Sequence, residues 1–93
     1  MTRLLFVGPH AAAAAALCVR AGRDAAFSGP APPDAVVEAL EEAGVSPAAR
    51  AEHAPTDVVV DTGEWGLPEP VGLCLEEARE LRDVIDARVA GTL

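Results

Sequence analysis

The sequence has no lysine and no tyrosine, one methionine, two cysteines and three aromatic residues, Phe6, Phe27 and Trp65. Each shortage excludes something. All seven basic residues are arginines, scattered along the chain, against fifteen acidic residues, for a formal net charge of −8. No basic stripe is left to neutralise phosphates, so no nucleic-acid partner is expected. An anionic membrane surface would repel the chain for the same reason. No apolar run approaches the ~18–20 residues of a membrane span. The apolar stretch from Leu4 to Val7 breaks at Gly8-Pro9-His10, too soon for the ~7–15-residue core of a secretory leader. A cytoplasmic protein is therefore expected, with Cys18 and Cys74 as reduced thiols rather than a disulfide. The spacing of these cysteines with His10 and His53 fits no usual zinc pattern, so no metal and no cofactor are expected.

What is present is small and apolar. The 93 residues are 51% hydrophobic, which argues for a folded chain and, at this length, for one domain spanning residues 1–93. With so few aromatics the core must be built from Ala, Val and Leu. A small core of small side chains gains from a partner, and a homodimer or a protein partner is expected.

Along the chain, Thr2 to Val7 reads as a buried strand and Gly8-Pro9-His10 as a loop. Ala11 to Ala21 reads as a helix, because alanine has the best intrinsic propensity, with Gly22 as its stop. Asp24 to Ser28 reads as a second strand, and Gly29 to Pro33 as a stiff loop. Asp34 to Ala43 is a helix with Asp34 at its positive end, an apolar face at Val36, Val37 and Leu40, and Gly44 beyond it. Val45 to Thr56 is irregular. Asp57 to Asp61 is a β-branched strand, Thr62 to Gly72 a loop, and Leu73 to Ala90 the longest helix. Its stripe runs through Cys74, Ala78, Leu81, Ile85 and Val89. The order β-α-β-α-β-α predicts a small three-layer α/β/α domain with a short, mostly parallel sheet.

These segments resemble, in order, the low-molecular-weight protein tyrosine phosphatases and the related thioredoxin-coupled arsenate reductases. The opening strand Leu4-Leu5-Phe6-Val7 and the helix Ala11 to Arg20 flank the place of the family's C-x5-R phosphate loop. Phe27-Ser28-Gly29-Pro30 is similar to the turn after its second strand. The run from Pro33 to Leu40 followed by Gly44-Val45-Ser46, and Thr56-Asp57-Val58-Val59-Val60-Asp61, resemble the next helix and strand. Trp65-Gly66-Leu67-Pro68-Glu69-Pro70 resembles the W-x-I-P-D-P loop that carries the general acid. The resemblance implies a phosphotyrosine protein phosphatase I-like fold, shortened between Asp61 and Glu64.

The departures decide the implied chemistry. The family's nucleophilic cysteine falls on Gly8, and its phosphate-gripping arginine falls near Ala14. Glycine supplies no thiolate and alanine no bidentate donor. The resemblance therefore implies a catalytically inactive relative, acting by binding or regulation. An alternative keeps an enzyme of different chemistry in the same pocket, with His10 and Glu69 as its acid/base pair. A residual anion site would use the loop and helix start at Gly8, His10, Ala11, Ala12 and Ala13, with Trp65 as pocket wall. The competing readings are plainer. His10 would be an exposed loop residue, Glu69 a turn carboxylate, Trp65 a core plug rather than a pocket wall or interface anchor, Cys18 a small buried residue, and Cys74 a thiol at a helix start rather than a redox relay.

Overall fold

The computed structural model describes residues 3–52, 54, 55 and 57–92. His53, an expected minor candidate, lies outside the described residues, as does Thr2 at the expected start of the first strand. Three strands, β1 (Leu4–Val7), β2 (Ala25–Phe27) and β3 (Val58–Asp61), alternate with helices α1 (Ala11–Arg20) and α2 (Asp34–Glu42), and helix α3 (Leu75–Thr92) follows. The sheet order is β2-β1-β3, parallel throughout. The register sets Leu5 beside Ala26 on one side and Val59 on the other. This is a small α/β domain with a short three-stranded parallel sheet and three helices.

Period-2 alternation divides the strand residues. Leu4, Phe6, Ala25 and Phe27 join one core cluster with α1, the Val36, Ala39 and Leu40 face of α2, and the Ala78, Leu81, Ile85 and Val89 stripe of α3. Leu5 and Ala26, at the alternate positions, are buried as well. Helix α1 is covered on every side, from Ala11 through Cys18. It packs on β1 and β2, while α3 packs on α1 and α2. The alanine run thus has a structural use: a helix with no side chain larger than a methyl over its first six residues can sit between a sheet and two other helices.

Helix ends match their sequence signals closely. At the C-terminus of α2 the Gly44 N–H donates to the Glu41 carbonyl and the Val45 N–H to the Leu40 carbonyl. This reciprocal pair needs the positive φ of 74° that Gly44 adopts. Helix α3 begins two residues later than expected. Cys74 precedes it and is exposed, a correction to the apolar stripe, and its N–H donates to Glu77 Oε1 at 3.1 Å. The segment from Thr62 to Gly72 is not all loop, since Thr62–Trp65 forms a 3-10 helix. The irregular segment after α2 also contributes to the sheet. The Phe27 N–H donates to the Ala49 carbonyl and the Ala51 N–H to the Phe27 carbonyl, a parallel bridge along the outer edge of β2. Arg3 ties the start of the sheet together, donating through Nε and Nη2 to Asp57 Oδ1 and Oδ2 at 3.0 and 2.8 Å and reaching the Glu52 carbonyl at 3.2 Å.

Among the described residues no helix is long and apolar enough to cross a membrane.

Candidate functional site

The carboxyl ends of β1 and β3 are neighbours in the sheet, and the loops leaving them meet there. This is where a parallel α/β sheet places its ligands. From β1 come Gly8, Pro9 and His10; from β3 come Asp61, Thr62 and Gly63.

Thr62 is the hub. Its side chain is fully buried. The hydroxyl donates to the Val7 carbonyl at 2.7 Å and accepts from the His10 N–H at 3.1 Å. Both the acceptor left by the end of the strand and a donor at the helix start are satisfied by one oxygen. Beside it the Asp61 carboxylate accepts from the Gly63 N–H at 2.9 Å and starts the 3-10 helix. Gly8 sits against this group with φ at +95°. A Cβ there would lie 2.7 Å from Thr62 Oγ1, 2.9 Å from the Gly63 nitrogen and 3.1 Å from Asp61 Oδ1. Position 8 therefore has no room for a side chain, and its backbone conformation is one that side chains avoid.

The same interactions bear on anion binding. At the start of α1 the His10 N–H is taken by Thr62, and the Ala11 N–H donates to the Gly8 carbonyl at 3.3 Å. The Ala13 side chain is buried in the core, and the Ala12 side chain lines a cleft shared with Phe27 and α2.

His10 is not an exposed loop residue. It is 3% exposed, and its Nε2 has no hydrogen-bond partner among the described residues. Burial pushes the imidazole below its ordinary value, while the backbone of Pro68, the charge of Glu69 and the backbone of Leu67 pull the other way. The neutral ring is thus the form that fits. Glu69 itself is exposed. It lies close enough to act on His10 through its charge, without a hydrogen bond between them among the described residues. Trp65 is half-buried against the core, its ring edge-on to Phe6 at 6.4 Å between centroids and 70° between planes.

The structure thus brings Gly8, His10 and the Leu67–Glu69 stretch into one neighbourhood, with Ala11, Ala12 and Ala13 following as the first turn of α1. Thr62 was not legible as a site residue. Its only signal was a lone hydroxyl directly after a strand ending next to Gly8. The two thiols are free and differently placed, Cys18 buried and Cys74 exposed. Burial pushes the Cys18 thiol up, against the weaker pull of Arg23, which disfavours a thiolate there. Among the described residues no three histidine, cysteine or carboxylate side chains come together to hold a metal ion.

No protein-family model, no curated protein and no solved structure matches the chain.

Proposed function

We propose that this chain is a non-catalytic binding protein, a shortened and inactive relative of the low-molecular-weight tyrosine phosphatases working in the cytoplasm through a protein partner or a second copy of itself. On this reading its sheet is the remnant of a three-layer α/β/α sandwich. One observation supports it above the others: at position 8, where a phosphatase of that family would hold its nucleophile, the Thr62 hydroxyl and the Gly63 nitrogen occupy the space of a Cβ. A covalent mechanism needs an attacking side chain at that point. Here the interior of the loop is used to join β1, β3 and α1.

The test is turnover of p-nitrophenyl phosphate, together with a nuclear magnetic resonance titration with phosphate, arsenate and phosphotyrosine. No turnover and no shifts from Gly8 to Ala13 are expected. Steady hydrolysis by the purified chain would overturn the reading. So would saturable shifts in that loop that vanish in His10→Ala, because they would mean an open anion pocket.

A second reading has one observation in its favour. The buried His10 Nε2 has no hydrogen-bond partner among the described residues, and the Glu69 charge lies close to the same ring. It would make His10 and Glu69 the acid/base pair of a different reaction. It needs substrate access to a ring that is 3% exposed, so the Leu67–Glu69 stretch would have to lift. Protection of His10 from carbethoxylation at neutral pH counts against it.

A further inference from the structure

A second surface lies on the outer side of the stretch that covers His10. Leu67 and Leu73 form one wall of a groove of about 240 Å³, and Leu81 and Val84 of α3 form the other, with Glu77 and Glu80 at its margin. Leu81 is buried, but Val84 is 44% exposed, and Val71 in the adjoining loop is 73% exposed. Apolar side chains left in water beside a concave apolar floor are the usual mark of a contact surface.

The charge around this floor has one sign. Glu77 and Glu80 are three residues apart on α3, so they stand on one face, about 5–6 Å apart at Cβ. Two of the three arginines of the same helix are engaged elsewhere, and the third, Arg88, is not among the residues that line the groove. Arg79 holds Glu42 of α2 through two bonds of 2.8 and 2.6 Å. Arg82 donates to the Ala39 carbonyl at 2.7 Å and to Asp83 at 3.1 Å. Glu80 has no ion pair among the described residues, and the Glu77 carboxylate accepts from the backbone N–H and the thiol of the exposed Cys74. Two carboxylates thus flank an apolar floor whose lining residues include no cation.

We infer that this groove binds a short segment of a protein partner, in which one or two aliphatic side chains are flanked by arginine or lysine. The aliphatic residues enter between Leu73 and Val84, and the cations pair with Glu77 and Glu80. A second copy of the chain is a poor occupant of this groove, because it has no lysine and its Arg3, Arg79 and Arg82 are held by its own acceptors. This inference rests on the binding-protein reading above and names the partner chemistry.

The experiment uses the full chain, labelled with ¹⁵N and titrated with a capped synthetic peptide of two leucines flanked by arginines. Shifts are expected at Leu73, Glu77, Glu80 and Val84, weakening as salt is added. Glu80→Arg should lower affinity roughly tenfold, and Val84→Asp should abolish binding. Both positions are exposed, and the spectra of the variants report directly that they remain folded. No shifts at roughly millimolar peptide, equal binding of a glutamate-flanked peptide, or shifts confined to β3 would each overturn the inference. Turnover of p-nitrophenyl phosphate is read separately. A chain without turnover that ignores the peptide sinks this inference alone, whereas turnover with peptide binding sinks the inactive-relative reading alone.

Discussion

Replacing Thr62 by valine keeps the shape of the side chain and removes one hydroxyl. The His10 N–H would then lack its partner in a buried place, and the Val7 carbonyl would lose one in a partly buried place. Each such loss costs about 1–3 kcal/mol, so Thr62→Val should destabilise the fold by about 2–4 kcal/mol in denaturant unfolding. His10 gives a prediction with a pH sign. Its native imidazole titrates below the ordinary value of 6.5, so near and below that pH the unfolded chain binds more protons than the folded one. Stability should fall as pH drops below about 6.5 and level off beneath the native value, and His10→Gln should flatten this part of the curve. Melting temperatures at a series of pH values read both. At this scale Gly8, His10 and Glu69 could be brought together from sequence, because they sit after strand ends or in a loop that resembles a known one. The burial of His10 could not, because it depends on Leu67 and Pro68, more than fifty positions away, and no local pattern encodes that closure.

Elements were more legible than residues. The apolar run of β1, the alanines of α1 and the Asp34 and Gly44 boundaries of α2 are local signals, and each appears within two residues of its expected end. The 3-10 helix at Thr62–Trp65 was hidden because its signal, Asp61 capping Gly63, is a short polar turn like any other. The bridge of residues 49–51 to β2 was hidden because Pro47 and Pro55 mark the segment as irregular, while its pairing is settled by Phe27. The smallness of α1 also leaves a trace. A cleft of about 240 Å³ opens between Ala12, Ala16, Phe27 and α2. Filling it with a good helix former, Ala12→Leu, should raise stability by about 0.5–2 kcal/mol in the same unfolding experiment. A loss instead would show that the cleft closes in solution.

For the whole molecule, the margin is thin by construction: 93 residues, three of them aromatic. The fold class was readable because an alternation of strand and helix signals leaves few topologies, and right-handed crossovers select among them. Which surface meets a partner was not readable, since exposure is a property of the assembled sheet. In that sheet β3 is an edge strand whose Val58 and Val59 are both exposed, without the lysine, proline or bulge that usually blunts such an edge. Concentration-dependent association is therefore expected in sedimentation equilibrium, and Val59→Lys should remove it while leaving the melting temperature of the dilute protein nearly unchanged.

The bridge from residues 49–51 to Phe27 has a further consequence for how far such association can run. With Phe27 on the β2 side already bonded to residues 49–51, β3 is the more open edge of the sheet among the described residues. Two molecules joined through β3 about a two-fold axis use up each other's more open edge, and a third would have to add at the partly bridged β2 side. The short Ala49–Ala51 pairing thus hinders chain growth, and the species expected to accumulate at high concentration is a closed pair rather than a growing fibre.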